Sequence, residues 1–133
     1  MRRNFAHAVR ALVALTLALV SISFSTQHAQ AATCTSTVVN IVAHEDDDLL
    51  FMNPAIVNDL RAGACATTVF VTAGDAGGGS EYWQDREHGP EAAYNTMLGL
   101  SSSSAWTVAQ QTYAGHSIRT STSAGGAVTL VYL

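Results

Sequence analysis

The sequence predicts an α/β fold built around a parallel β-sheet, and the pattern of residues 37–72 is the main reason. Residues 37–43 (TVVNIVA) and 66–72 (ATTVFVT) are rich in β-branched and apolar side chains, which is typical of strands buried in a parallel sheet. A short segment with one apolar helical face separates them. Strand, helix and strand within about 35 residues indicate a βαβ unit, whose two strands are parallel.

The first 31 residues have the organisation of a secretory signal peptide. Arg2, Arg3 and Arg10 give a basic start, an apolar run covers residues 11–24, and Ala29–Ala31 is a small-x-small cleavage signature. The alternative, a membrane anchor, is disfavoured because the run is shorter than the ~20 residues that a spanning helix needs. We therefore predict that residues 1–31 are removed and that the protein is secreted, through either the general or the twin-arginine route.

The remaining residues, 32–133, are strongly acidic. The whole chain has 10 Asp and Glu against 6 Arg and no Lys, for a net charge of −4, and residues 32–133 hold all ten acids but only three of the arginines. A chain without a phosphate-neutralising patch is not expected to bind nucleic acid. No second apolar run is long enough to cross a bilayer, so we expect no membrane span after cleavage.

The two cysteines, Cys34 and Cys65, each come just before a predicted strand. If these strands are parallel neighbours, their first residues lie side by side, within the reach of a disulfide. Export places the protein where disulfides persist, so we favour a Cys34–Cys65 bridge over the alternative of two free thiols.

The first predicted helix has clear start and stop signals. Asn53–Pro54 places a capping side chain before a proline at the first helical position. Ile56, Val57 and Leu60 share one face, and Gly63 is a natural residue to end the helix.

The second half of the chain contains a glycine-rich loop, a helix and three short strands. The loop covers residues 73–79, and a second helix is expected to begin at Pro90. The apolar face of that helix is formed by Ala93, Tyr94, Met97 and Leu100. Three short strands are predicted over residues 106–113, 116–120 and 128–133, with turns at Gly115 and at 120–126.

Acidic residues follow both strands of the βαβ unit, at the end of the sheet where α/β proteins bind ligands. His44 and residues 45–48 (EDDD) follow the first strand, and Asp75 follows the second. Four consecutive carboxylates repel one another by about 1 kcal/mol per close pair in water, so a helix N-terminus or a divalent cation should compensate them. The alternative is a solvated acidic cap on a loop before a helix.

The spacing of His44 and Asp47 suits a hydrolytic zinc ion, which takes imidazole nitrogen and carboxylate oxygen and leaves a position for water. Asp46, between them, would lie beside that water, where a general base is needed. Two protein ligands are fewer than the three that a catalytic zinc usually has. A structural Ca²⁺ in an extracellular carbohydrate-binding module is a further alternative, although His44 is a poor calcium ligand.

These motifs resemble those of a known family. Residues 41–48 (IVAHEDDD) resemble the signature of the LmbE-like, or PIG-L, family of zinc-dependent de-N-acetylases, in which a strand ends in A-H-P-D-D-E or a close variant. Residues 72–77 resemble the family's second-strand loop, and Arg86–Glu87 with residues 92–99 resemble its next helix. The resemblance covers residues 37–100 well and the rest of the chain weakly.

The resemblance implies a Rossmann-like, mostly parallel sheet with flanking helices, of which residues 32–133 form the N-terminal portion, incomplete at the C-terminus. It implies Zn²⁺ held by His44 and Asp47, with Asp46 as the general base. The implied reaction is hydrolysis of the acetamide of an N-acetylated sugar, of the N-acetylglucosamine type, in a glycoconjugate or glycolipid, which gives a free amine and acetate.

The sequence departs from the family pattern in three places. Glu45 stands where the family usually has Pro, and Asp48 stands where it usually has Glu. The later paired-histidine motif, which supplies the family's remaining zinc ligand, is absent from this sequence. The chain is therefore a truncated product, or a local group substitutes, or the metal site is incomplete. A catalytically inactive member of the same fold is the main alternative function.

Four further residues are candidates for contact with substrate. Asp75 is expected to line the site, with an ordinary polar loop residue as the alternative. Arg86 either binds substrate or pairs with a neighbouring acid. Tyr82 and Trp83 either stack on a sugar ring or pack over the glycine-rich loop.

Overall fold

The structure, a computed structural model, describes residues 32–133, so the predicted signal peptide lies outside the described residues. Within this range the chain forms five strands and three helices. In chain order they are β1 (Thr37–Val42), α1 (Asp47–Phe51), α2 (Ala55–Arg61), β2 (Cys65–Phe70), α3 (Gly79–Met97), β3 (Thr107–Tyr113), β4 (His116–Thr122) and β5 (Val128–Tyr132). Among these described helices, none is long and apolar enough to cross a membrane.

All five strands belong to one sheet, in the order β1-β2-β5-β4-β3. β1 and β2 are parallel, as the βαβ pattern predicted, and their register pairs Thr37 with Cys65. Cys34 lies just before β1 and forms a disulfide with Cys65, which confirms the predicted bridge. β5 adds to the other side of β2, again in parallel.

The predicted Rossmann-like, mostly parallel sheet with flanking helices is wrong. The sheet is mixed, because β4 runs antiparallel to both β3 and β5. The physical reason is the length of the connections. Only Ala114 and Gly115 separate β3 from β4, and residues 123–127 separate β4 from β5, whereas a parallel crossover needs about a dozen residues or more. The turn signals were present in the sequence, and they exclude the predicted arrangement for this half of the chain.

The helices cover one face of the sheet. Ile56 of α2 and Tyr94 of α3 are buried in the same core as Phe70 and Leu130, which project from the inner face of β2 and β5. The opposite face is largely open, and Ile41 of β1 is 69% exposed there. Helices therefore do not enclose the described sheet on both sides, as the Rossmann-like prediction required.

The starts of two helices differ from the sequence prediction. α2 begins at Ala55 and not at Pro54, with no side-chain cap from Asn53. It ends near Gly63 as predicted, where a φ of +84° favours glycine. α3 begins at Gly79, well before the predicted start at Pro90. A proline inside a helix removes one backbone hydrogen bond. Pro90 is among the fully buried side chains, so its packing helps to offset that loss.

Candidate functional site

The loops that follow β1 and β2 lie side by side at the carboxyl end of these strands. Beyond the strand ends, Val71 N donates to Val42 O at 3.0 Å, and Thr72 N donates to Ala43 O at 2.9 Å. The pairing therefore continues up to His44 on one side and to the glycine-rich loop on the other. Both predicted clusters of polar residues start from this shared edge.

His44 and Asp47 converge at the start of this acidic loop. Asp47 is the first residue of α1, and its Oδ2 accepts a hydrogen bond from the backbone N of His44 at 3.0 Å. The same oxygen is 3.4 Å from His44 Nδ1. The His44 side chain is 47% exposed and that of Asp47 is 25% exposed, so both remain accessible from solvent.

The distance between these two atoms fits a shared zinc ion. Zinc bonds to nitrogen and oxygen are about 2.0–2.2 Å long, so two ligands of a tetrahedral zinc lie about 3.3–3.5 Å apart. Within residues 32–133, however, no group of three His, Cys, Asp or Glu side chains is placed to hold a metal ion. The described residues therefore provide two converging ligands and not the usual three.

Arg86, on α3, reaches back to the acidic loop and pairs with two of its carboxylates. Its Nε donates to Glu45 Oε2 at 3.2 Å, and its Nη2 donates to Asp46 Oδ1 at 2.9 Å. Burial lowers the pKa of Arg86, but the contacts with Glu45, Tyr82 and Asp46 more than offset it, so the guanidinium stays charged. Arg86 therefore adopts the acid-pairing alternative of the sequence prediction.

Gly74 lets the two loops approach each other. A Cβ at this position would lie 3.0 Å from both Arg86 Nη2 and His44 Cδ2, and the backbone has a φ of +56°. Both the close approach and the backbone conformation therefore favour glycine here. The glycine-rich loop packs its backbone directly against the side chains of the candidate site.

Asp48, the last acid of the loop, is fully buried and anchors the loop to the core. Its Oδ2 accepts a hydrogen bond of 2.6 Å from Tyr94 Oη, and its Oδ1 accepts one of 2.9 Å from Leu49 N. Tyr94 Oη also lies 2.7 Å from Thr68 Oγ1, which accepts from Asn40 Nδ2 at 3.2 Å. Burial raises the pKa of Asp48, and the Tyr94 hydrogen bond opposes that rise. Burial and the Asp48 carboxylate raise the pKa of Tyr94.

The four acids thus have different partners, and these partners compensate the repulsion expected between four adjacent carboxylates. Arg86 compensates Glu45 and Asp46, Tyr94 holds Asp48, and Asp47 faces His44. The sequence alone predicts no role in the site for Glu45 or Asp48. Their burial, at 2% and 0% exposed, makes them the anchors of the loop. The available signal was the mutual repulsion of four adjacent carboxylates, which requires compensation.

The remaining candidate residues each make different contacts. Asp75 bonds within its own loop, where its Oδ1 accepts from Gly77 N at 3.3 Å. Tyr82 packs over the glycine-rich loop, since a Cβ on Gly78 would lie 2.9 Å from its ring. Trp83 instead lines a cavity on the inner side of the sheet.

Comparisons with protein-family models, with curated proteins and with solved structures find no match to this chain.

Proposed function

We propose that this protein is an exported, zinc-dependent amidohydrolase that removes the acetyl group from N-acetylated sugars. The observation that carries the proposal is the convergence of His44 Nδ1 and Asp47 Oδ2 at 3.4 Å, with the Asp46 carboxylate next to them in the chain. The resemblance of residues 37–100 to the LmbE-like family supports the reaction and the class of substrate. The disulfide supports export, because such bonds persist in oxidising compartments.

In this proposal His44 and Asp47 would hold a zinc ion, which would supply Lewis acidity for the hydrolysis. Asp46 would take a proton from the attacking water, as the general base. Arg86 binds Oδ1 of Asp46 and leaves Oδ2 free to receive the proton. Water adds to the acetamide carbon, the carbon–nitrogen bond breaks, and acetate and a protonated amine are released.

A catalytically inactive protein of the same fold is the second candidate, and one observation favours it. The described residues contain no third side chain beside His44 and Asp47 that could complete a metal site. A site with two protein ligands binds zinc more weakly than one with three. Metal binding and catalysis therefore have to be measured separately.

Zinc titration of the purified protein tests the metal site. We expect one equivalent of zinc, with binding lost in His44→Ala and in Asp47→Ala. Asp59→Asn is the matched control, because Asp59 lies on α2, which leads away from this edge of the sheet. One equivalent of calcium with no zinc would refute the proposal.

Acetate release from N-acetylglucosamine derivatives tests the reaction. We expect zinc-dependent release by the wild-type protein, and its loss in Asp46→Asn with zinc still bound. A wild-type protein that binds zinc and releases no acetate from any such derivative would establish the inactive alternative.

A further inference from the structure

A cavity of about 320 Å³ lies next to the candidate site, and the proposed chemistry does not use it. It lies at the carboxyl ends of β2 and β5, between the inner face of the sheet and the first turns of α3. Glu45, next to the proposed base in the chain, forms part of its lining. Its volume is at the lower end of the range for small-molecule sites, which suits a single ring.

One part of the cavity lining is aromatic. The rings of Phe70 and Tyr132 stack with their centroids 5.5 Å apart and their planes 24° apart. Trp83 lines the same space from α3 and is only partly buried, so part of its indole remains available to a ligand. Flat apolar surfaces of this kind bind ligands that are themselves flat and apolar on one face.

The charged groups around the cavity are already paired. Glu87 forms an ion pair with Arg119, whose guanidinium also lies 5.3 Å from the centre of the Tyr132 ring. Glu45 is paired with Arg86. An anionic or a cationic ligand would have to break one of these pairs, and breaking a buried pair is costly. The cavity therefore favours a neutral ligand.

The β3–β4 hairpin contributes exposed polar side chains to the cavity lining. Gln110 and Ser117 line the cavity and offer hydrogen-bond donors and acceptors. Ser117 Oγ donates to Gln110 Oε1 at 3.0 Å, so the two side chains form one polar patch. A suitable ligand is thus neutral, carries hydroxyls at its edge and has an apolar face.

We propose that this cavity binds a neutral pyranose ring, which stacks on Trp83 and hydrogen-bonds to Gln110 without any need for a metal ion. A pyranose combines a face of C–H groups with a rim of hydroxyls, which matches the two parts of the lining. The inference that this ring belongs to the same molecule as the acetamide rests on the proposed function. The inference that the cavity binds a pyranose does not depend on it.

Calorimetric titration with methyl β-glucoside, in the presence of EDTA, tests the cavity apart from the hydrolase. We expect saturable binding that is weakened about tenfold by Trp83→Ala and several-fold by Gln110→Ala. Tyr82→Ala is the matched control, because the neighbouring Tyr82 is an aromatic residue of the same helix that does not line the cavity. Glucuronate, the anionic counterpart, should bind more weakly than the glucoside. Circular dichroism of each variant checks that the fold is retained.

Two outcomes would overturn the inference. The first is no binding of the glucoside at about 50 mM, which corresponds to a free energy of binding weaker than about −2 kcal/mol. The second is binding that Trp83→Ala and Tyr82→Ala leave equally unchanged. Acetate release with no glucoside binding would refute the inference about this cavity and support the proposed hydrolase. Glucoside binding with no acetate release would support the inference and count against the proposed hydrolase.

Discussion

Arg86 Nη2 donates a hydrogen bond of 2.9 Å to Asp46 Oδ1, and this contact joins two elements that are 40 residues apart in the chain. The guanidinium is fixed at the same time by the buried Glu45 carboxylate. The orientation of the proposed general base is therefore set by α3 and not by its own loop alone.

Replacing Arg86 should impair catalysis more than metal binding. In Arg86→Gln the Asp46 carboxylate loses its positioning contact, and we expect acetate release to fall about 10- to 100-fold, the usual cost of losing a supporting partner in a metal site. Arg61→Gln, an exposed arginine at the end of α2, should leave the rate unchanged. An Arg86→Gln protein with full activity would show that Arg86 does not position the base.

Gly74 and Gly77 form a matched pair for testing the close approach of the two loops. Both have positive φ, so Ala at either position should cost about 1–2 kcal/mol in the free energy of unfolding. Only at Gly74 would the new Cβ meet Arg86 and His44, because Gly77 has open space around it. We expect zinc affinity and acetate release to fall in Gly74→Ala and to persist in Gly77→Ala. Equal losses in both variants would point to backbone strain alone.

The buried Asp48 should make the fold less stable as the pH rises. Its pKa in the folded protein is raised above the ordinary 3.8, chiefly by burial, so the folded state holds this proton more tightly than the unfolded chain does. The stabilising contribution is complete below pH 3.8 and is lost as the pH rises through the raised pKa.

Asp48→Asn removes this titration. We expect the free energy of unfolding of the variant, relative to the wild type, to increase between pH 4 and pH 7 in urea titrations. Asp59→Asn, at a half-buried position on α2, serves as the control. Parallel pH profiles for wild type and Asp48→Asn would contradict the assignment.

The disulfide should contribute a large share of the stability. It joins residues 31 apart, and a ring of this size stabilises a fold by about 3–4 kcal/mol through the entropy of the unfolded chain. The double variant Cys34→Ser/Cys65→Ser should lose about that amount in urea unfolding. Reductant should lower the stability of the wild type and leave the double variant unaffected. A wild type that is indifferent to reductant would contradict the expectation.

The strands and their first pairing could be predicted because the signals are local. β-branched runs marked β1 and β2, and the short helix between them required a parallel pair. That pairing in turn placed Cys34 within reach of Cys65. His44 and Asp47 could be paired from sequence because they are three residues apart at the start of a helix.

The rest depends on contacts between distant parts of the chain. No local pattern indicates that Arg86 reaches Glu45, or that Tyr94 reaches Asp48, because each pair is brought together only when α3 packs on the sheet. The start of α3 was predicted at Pro90 because proline is a strong signal for the first turn of a helix. In the structure Pro90 lies inside the helix, where its burial helps to offset the lost hydrogen bond. The mixed sheet was not predicted because the parallel arrangement of the first half was extended to the second half. The short turns of that half allow only antiparallel hairpins.

The Cys34–Cys65 bond encloses β1, the whole acidic loop, α1 and α2 within a single covalent ring. A protease that cuts the backbone once anywhere inside this ring leaves both fragments attached to each other. The nicked protein would run as one species on a non-reducing gel and as two after reduction. His44, Asp46 and Asp47 would therefore stay tethered to Arg86 and its helix after such a cut, for as long as the compartment remains oxidising.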